Sequence, residues 1–265
     1  MPIAKPKTNN YTLGAGKIFF DQWEDEDPKK RRGFMYLGST SDFTLTSEAE
    51  LLEHMNSEGG MRYVDAQVQT SSSMTGALTT DNISGENLAL YFSGEYTKEA
   101  GVAATALKHN VKAYPGRVYF IGATDLSPQG EAKVTNVTVA LKGTPATALV
   151  EGTDYELQGN KIMIDASGTT AVKDIGTEIT ITYDRAVSVR AVVVSSGKSI
   201  VGSLRFEADN ATGPNLDYVL PKVRLTANGD YQIKGGDEWL AMSMSVAAMK
   251  EGDTPMLYIN GRPEA

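Results

Sequence analysis

The residues that could do chemistry begin with a short glycine-rich stretch near the N-terminus. Gly14-Ala15-Gly16-Lys17 suggests a loop that binds phosphate through backbone N–H groups and the lysine. Such a loop also needs an upstream glycine, a Ser or Thr after the lysine, and a preceding strand. The sequence around Lys17 meets none of these requirements, and nucleotide binding is therefore not expected.

Histidine and cysteine, the usual metal ligands and nucleophiles, are scarce. The chain has no Cys, which excludes disulfides, thiolate metal sites and Cys nucleophiles, and it has only two His. His54 lies among Glu50, Glu53 and Glu58, where a metal site can be imagined, but an exposed position is the prediction. His109 is expected to be structural or exposed. With no catalytic constellation, the sequence predicts neither an enzyme nor a cofactor.

The composition is that of a globular protein with an acidic balance. Hydrophobic residues make up 41% of the 265 residues, which argues against disorder, and the formal net charge is −8. A protein that grips nucleic-acid phosphates needs an excess of Lys and Arg, so that kind of DNA binding is disfavoured. No apolar run approaches the roughly 20 residues that cross a bilayer. Residues 1–10 lack the apolar stretch of a secretory signal, so a soluble protein made inside a cell is expected.

Most of the chain alternates apolar and polar residues with the period of two that is typical of strands. Helix signals are few. Ser84 can cap a helix that runs to about Ser93 and ends at Gly94. Ser47-Glu48-Ala49-Glu50 matches a capping box, so either a second helix or a loop is expected there. The predicted strands are 17–20, 42–46, 66–79, 118–121, 134–141, 177–183, 191–195, 203–207 and 239–246.

Two hairpins can be assigned at the level of register. A two-residue turn after Gln158 pairs Leu157 with Ile162 and puts apolar residues on one face. A three-residue loop ending at Gly229 predicts that Leu225 pairs with Tyr231.

The chain is expected to divide into a core domain and an insertion. Tyr114-Pro115-Gly116 opens a stretch of short strands and glycine turns, and longer strands return after residue 185. The predicted division is a core domain of residues 1–116 and 186–265, with an inserted β unit at 117–185. The inserted unit is expected on the outer surface.

An acidic segment precedes a strand that is polar on both faces. Residues 40–66 contain six acidic residues and one Arg, a net charge of −5. The strand at 66–79 has almost no large apolar side chain, so a monomer gains little by burying it. Such a strand suits a wide water-filled channel, with its edges paired to a neighbour. An exposed hairpin on an Ig-like sandwich is the alternative.

Seven short blocks, in their order along the chain, carry a resemblance to a known family. The first three are NYTLGAGKIFFD at 10–21, YLGSTSDFTLT at 36–46 and DNISGENLALYF at 81–92. The others are GSLRFEADNATG at 202–213, YVLPKVRL at 218–225, GGDEW at 235–239 and YINGRP at 258–263. Together these blocks resemble the major tail tube proteins of long-tailed bacteriophages. The resemblance covers about residues 10–112 and 186–263.

The resemblance implies a β-sandwich or barrel-like subunit with one flanking helix, six of which form a ring. The inner sheets would join around the ring, the rings would stack into a tube, and the genome would be ejected through it. The implied partners are copies of the chain, tape measure, tail terminator and distal tail proteins, and double-stranded DNA that passes without specific binding. The implied location is the virion tail, assembled in the host cytoplasm without membrane contact. The alternatives are an Ig-like adhesion or carbohydrate-binding module, and the tube of a related injection machine.

Two sets of residues would carry the implied function. Strict alternation places Phe43 and Leu45 in the core and the polar residues of the same strand toward the channel. The expected lumen-facing residues are Asp42, Thr44, Thr46, Gln67, Gln69, Ser71 and Ser73. A loop over residues 47–65 would join stacked rings, with Glu48, Glu50, Glu53, Glu58, Arg62 and Asp65 as its charged residues. A negative channel would repel DNA phosphates instead of holding them.

Overall fold

The described chain consists mainly of antiparallel strands, with one α-helix. The computed structural model describes residues 11–143, 145–167, 171–235, 237–260 and 262, and it is 56% strand and 4% helix. The predicted mainly β, sandwich-like fold is therefore confirmed. The helix α1 is Gly85–Tyr91, and a short 3-10 turn covers Glu24–Glu26. The strands are β1 (Gly16–Trp23), β2 (Arg31–Tyr36), β3 (Thr40–Asn56), β4 (Tyr63–Thr80), β5 (Gly94–Gly101), β6 (Ala104–Ala113), β7 (Val118–Phe120), β8 (Val134–Leu141), β9 (Tyr155–Gln158), β10 (Lys161–Ile164), β11 (Thr177–Arg185), β12 (Ser188–Ser195), β13 (Ile200–Ala208), β14 (Tyr218–Ala227), β15 (Met242–Ala248) and β16 (Tyr258–Ile259).

The chain divides into two compact units, each with its own apolar core. The first unit comprises the described parts of Met1–Tyr96 and Val193–Ala265, and the second comprises the described parts of Thr97–Val192. The second unit therefore begins earlier than the predicted boundary at residue 117. The reason is that β6 pairs with β11 along its length, which places β6 in the second unit although the two strands are far apart in sequence.

The first unit is built around one large sheet. Its strand order is β2-β1-β13-β14-β15-β4-β3, with β16 added beside β14, and each of these neighbouring pairs is antiparallel. The strands at the two ends, β2 and β3, are separated in the chain only by residues 37–39. The Thr80 hydroxyl lies within hydrogen-bonding distance of two carbonyl oxygens, 2.8 Å from that of Ser39 and 3.2 Å from that of Leu37, and so holds this short connection against β4. The sheet must therefore curve until its two ends come close together.

Curvature of the sheet encloses the core of the first unit. Alternate residues along the strands point to the same face of the sheet, and this face is apolar and buried. The helix α1 contributes Leu90 and Tyr91 to this core, and Ser84 caps it by accepting a hydrogen bond from the Asn87 N–H at 3.1 Å. The predicted cap is therefore confirmed, although the helix ends at Tyr91 and the left-handed residue after it is Ser93, not Gly94. The buried core residues are Ile18, Phe20, Leu37, Leu78, Leu90, Tyr91, Ile200, Leu204, Leu220, Val223, Leu225, Met242, Met244 and Val246.

The second unit has two three-stranded sheets around a separate core. The sheets have the orders β6-β11-β8 and β7-β10-β9. In the β9–β10 hairpin, Leu157 lies opposite Ile162, which confirms the predicted register. Strands β5 and β12 form a further two-stranded sheet.

Two local predictions are wrong, and both failures concern what a strand pairs with. The capping-box segment 47–50 is neither helix nor loop, because it continues β3 and takes its backbone hydrogen bonds from β4. Leu225 pairs with Val246 of β15 and not with Tyr231, because the chain makes a long connection after Gly229 before it returns to the sheet. Residues 239–241 belong to that connection, and β15 begins only at Met242. Parts of three resemblance blocks lie outside the described residues, namely Asn10 of the first block, Gly236 of GGDEW, and Gly261 and Pro263 of YINGRP.

Candidate functional site

The first half of β3 separates core residues from exposed polar residues. Phe43 and Leu45 are half-buried and pack against the core of the first unit, as predicted. The residues between them, Asp42, Thr44 and Thr46, are exposed. Alternation along a strand sends neighbouring side chains to opposite faces, so the three polar residues share the face turned away from the core.

The register extends this outward face across two further strands. Thr44 lies opposite Ala77 of β4, and Ala77 lies opposite Ser245 of β15. In the next row, Thr46 lies opposite Thr75, which lies opposite Ala247. We call this surface the polar face. It consists of Asp42, Thr44, Thr46, Thr75, Ala77, Thr79, Ser243, Ser245 and Ala247.

The polar face carries small side chains and no cation. Its members are Thr, Ser, Ala and one Asp, all of them exposed or half-buried. The nearest cation in register is Arg224 of β14, which lies opposite Ala247. The Arg224 guanidinium lies 3.9 Å from the Glu26 carboxylate, so its charge is partly balanced. The result is a smooth, hydroxyl-rich strip three strands wide.

Strands β3 and β4 continue far beyond the rest of the sheet. Pairing of β4 with β15 ends at Met74↔Ala248, whereas pairing of β4 with β3 continues to Tyr63↔Asn56. We call residues 48–73 the arm. Apart from the half-buried Asn56, every residue of the arm is exposed, so this two-stranded ribbon has no core of its own.

The predicted ring-stacking loop is therefore a hairpin and not a loop. Glu48, Glu50 and Glu53 lie on β3, and Asp65 lies on β4. The other two charged residues of that set, Glu58 and Arg62, lie in the connection between the two strands. The acidic residues are thus held in a regular ribbon, because each strand supplies the backbone partners of the other.

Cross-strand side-chain bonds fix the arm further. The Ser71 hydroxyl donates to the Glu50 carboxylate at 3.1 Å, and the Gln67 amide donates to the Glu53 carboxylate at 2.7 Å. Near the tip, His54 Nδ1 lies 2.5 Å from an Asp65 carboxylate oxygen. The His54 side chain is exposed, as predicted, and its carboxylate partner is Asp65. Within the described ranges, no group of three or more His, Cys, Asp or Glu residues could hold a metal ion.

The predicted lumen-facing residues fall into two groups. Ser73 lies opposite Glu48 and Ser71 lies opposite Glu50, so both continue the face that carries Thr46. Gln69 and Gln67 come after a shift of register between Glu50 and Leu51 and lie opposite Leu51 and Glu53 in the arm. The structure thus brings Asp42, Thr44, Thr46, Ser71 and Ser73 onto one face and leaves the two glutamines beyond the bulge.

Sequence reasoning missed the apolar residues of the arm. Leu52 is 66% exposed and Met61 is 82% exposed, and five more large apolar side chains of the arm are exposed. Adjacent Leu51 and Leu52 are a signal that could have revealed this, because neighbouring residues on a strand point to opposite faces and a two-stranded ribbon buries neither. The exposed apolar residues of the arm are Leu51, Leu52, Met55, Met61, Tyr63, Val64 and Val68.

The arm also leaves backbone hydrogen-bonding groups without a partner strand. β3 lies at the end of the sheet along its whole length, and β4 has β3 as its one neighbour from Tyr63 to Ser73 in the part of the chain that the structure describes. Open edges of this length invite pairing with another chain. Large apolar side chains exposed beside such open edges suit contact with another protein.

Comparison with other proteins places the chain in a family. In the described residues, no helix is long and apolar enough to span a membrane. A search of curated proteins returns no match to the chain. A family model matches residues 11–251, which is most of the sequence. The chain therefore belongs to the family described as "Protein of unknown function UCP028589".

Proposed function

We propose that this chain is the major tail tube protein of a long-tailed bacteriophage. Copies would form rings of six subunits, and the stacked rings would make the conduit through which the genome is ejected. The observation that carries the proposal is the continuity of the polar face with the arm. One surface suits contact with water, and the arm next to it needs a partner to cover its apolar residues and open edges.

The chemistry of the polar face suits a channel for DNA. Passing DNA presents a dense row of phosphates, and Lys or Arg side chains in the wall would bind them and release counterions. The polar face offers hydroxyl and methyl groups in their place, with Asp42 as its charged member. A ring of carboxylates repels phosphates, so the DNA would slide without being held.

The arm suits contact between copies of the chain. Its seven exposed apolar side chains are costly in a free monomer because water solvates apolar groups poorly, and its two open strand edges are templates for pairing with another chain. A neighbouring copy could bury the apolar side chains and pair with the open edges. The free ends of a finished tube would need the terminator and distal tail proteins, and a tape measure protein would occupy the channel during assembly.

Purified protein at increasing concentration tests the proposal. Sedimentation velocity should show large particles that grow with concentration, and negative-stain images should show rings or tubes with a central hole. A chain that stays monomeric at the highest concentration, with and without tail assembly partners, would count against the proposal. A tube that assembles with a contractile sheath would instead favour a related injection machine.

One cleft in the second unit supports a second candidate, carbohydrate binding. The cleft has a volume of about 360 Å³ and is lined by Tyr114, Pro115, Arg117 and Asp174. Tyr114 is 38% exposed, and Lys112 Nζ lies over its ring at 5.7 Å from the centroid. An aromatic edge and hydroxyl beside charged groups are suited to a sugar and its hydroxyls. A monomer that binds glycans, and loses that binding in Tyr114→Ala, would favour this function.

A further inference from the structure

The end of β4 opposite to the arm tip carries a surface that could receive the arm of another copy. This inference rests on the proposed function, in which the arm joins copies of the chain in stacked rings. β4 runs from Tyr63 at the arm tip to Thr80, and Thr80 pairs with Met242 at the start of β15. At about 3.3 Å per residue, the two ends of β4 are roughly 55 Å apart.

A small apolar cleft lies at this opposite end. It is lined by Asp81, Ile83, Trp239 and Leu240, and its volume is about 370 Å³. Asp81 directly follows β4, and Leu240 stands two residues before β15. The Trp239 side chain is 95% exposed, so a large aromatic group is presented to solvent at the rim of the cleft.

The exposure of Trp239 is costly for a free subunit. A Trp side chain buries more apolar area than any other when it is covered, and Trp is enriched in protein–protein interfaces. Ile233, in the same connection between β14 and β15, is also 82% exposed. The connection therefore presents two large apolar side chains, which is typical of a surface that another molecule covers.

The arm tip has the chemistry that matches this cleft. Met61 at the tip is 82% exposed and is a flexible side chain that fills irregular apolar pockets. Its neighbour Arg62 is the one Lys or Arg in the arm, and no ion pair engages it within the described part of the chain. The cleft carries the carboxylate of Asp81, and Asp237 and Glu238 precede Trp239. The arm tip, an apolar side chain next to a cation, is thus complementary to an apolar cleft next to carboxylates.

We infer that the cleft at Trp239 receives the arm tip of a second copy of this chain. The arm cannot fill the cleft of its own subunit, because roughly 55 Å of strand separates them. The two surfaces differ from each other, so the contact is head-to-tail, and a stack leaves free arms at one end and free clefts at the other. A head-to-tail contact whose rotation does not close on itself repeats indefinitely, as stacking of rings along an axis requires.

Disulfide trapping tests this contact directly, since the chain has no cysteine of its own. The double variant Met61→Cys/Leu240→Cys should give a ladder of covalent dimers, trimers and higher species on a non-reducing gel after mild oxidation. A disulfide needs Cα atoms within about 7 Å of each other, so no bridge can form inside one copy. The matched control Met61→Cys/Leu126→Cys places its second cysteine at a residue that is 98% exposed in the second unit, and it should give no ladder.

The outcomes separate this inference from the proposed function. Assembly of the double variant without a ladder, or an equal ladder in the Leu126 control, overturns the cleft as the receiving surface and leaves the tube intact. Failure of the unaltered chain to assemble counts against the tube and the cleft together. A covalent dimer from Met61→Cys alone, with no higher species from the double variant, would show that tips meet tips and would also overturn the inference.

Complementation between two charge variants provides a second test that needs no cross-link. Met61→Asp puts a charge at the arm tip, and Trp239→Asp puts a charge at the cleft. Each change alone should raise the protein concentration required for stacking at least tenfold. Both positions are more than four-fifths exposed, so neither change should affect folding. Rings of each variant that are formed separately and then mixed in equal amounts should join through one junction and stop at particles of two layers. Tubes of normal length from Trp239→Asp would overturn the inference.

Discussion

Thr46 lies directly opposite Thr75 across the β3–β4 pair, and both side chains are exposed on the side of the sheet that faces away from the core. The pair shows that residues of the polar face lie outside the core that stabilises the fold. Neither hydroxyl contributes to the apolar core, so the identity of these residues is free to be set by what the surface contacts.

The first prediction is that a cation on the polar face leaves folding intact and slows DNA passage. Thr44 is exposed, so Thr44→Lys should change the free energy of unfolding by less than about 0.5 kcal/mol. Assembled particles should eject DNA more slowly, most of all at low salt, because every subunit then offers a phosphate contact. Ejection kinetics at two salt concentrations measure this. The control is Thr44→Gln, which adds a long side chain without a charge, and particles that carry it should eject DNA at the normal rate. A normal rate for Thr44→Lys particles at low salt would refute the channel assignment.

The second prediction concerns the apolar residues of the arm. Leu52 is 66% exposed, so Leu52→Asp should leave the melting temperature of the monomer within about 2 °C of its normal value. Self-assembly should be lost, because a carboxylate buried in the contact between copies carries a large desolvation cost. Sedimentation velocity checks assembly. The control is Leu126→Asp, whose position is 98% exposed in the second unit, and it should assemble normally.

The third prediction compares two deletions of the second unit. Residues 96 and 193 lie on strands β5 and β12, which are neighbours in one sheet, so a short Gly-Ser linker can replace 97–192. That deletion should leave a folded first unit that still assembles. Replacing only 117–185 should yield aggregated protein, because it leaves β6 without β11 and exposes Leu107 and Val111. Solubility and circular dichroism of the two variants measure the difference, and equal behaviour would contradict the boundary at Thr97.

The fourth prediction concerns the buried carboxylate of Asp217 and its dependence on pH. The Arg262 guanidinium donates to both of its oxygens, at 2.9 and 2.7 Å, and the Ala208 N–H donates at 3.0 Å. The hydrogen bonds from Arg262 are the main reason that the pKa of Asp217 lies below its usual value of 3.8. A carboxyl group whose pKa is lowered by folding adds stability above its unfolded pKa and loses it as the pH falls through the folded pKa.

Asp217→Asn should therefore cost about 1–3 kcal/mol at neutral pH. The difference from the unaltered chain should begin to shrink below about pH 4, where the carboxyl group becomes protonated in the unfolded state, and should shrink further as the pH falls through the lower pKa of the folded state. Urea unfolding across pH 3–7 measures the difference. Asp209→Asn, an exposed control near the same strand end, should have little effect at any pH, and a constant gap between Asp217→Asn and the unaltered chain would contradict the assigned charge.

Local features of the fold could be read from the sequence because their causes are local. The Ser84 cap depends on one hydroxyl and the N–H three residues later, and the β9–β10 hairpin depends on a turn between two short apolar strands. The alternation of Phe43 and Leu45 with polar neighbours likewise needs only a strand and one apolar environment. These signals also indicated a mainly β fold and a polar surface around Thr44.

The pairing of the strands, and the points at which the chain leaves the sheet, depend on contacts between residues that are distant in sequence. The segment at 47–52 has helix-capping and strand features together, and the long partner strand β4 resolves the choice in favour of β3 by supplying its backbone hydrogen bonds. The same holds for β6, whose partner β11 comes much later in the chain and sets the boundary between the units. The exposed arm and the Trp239 cleft follow from where β15 starts and stops beside β4. Burial and edge pairing depend on residues distant in sequence, so a local pattern cannot determine them.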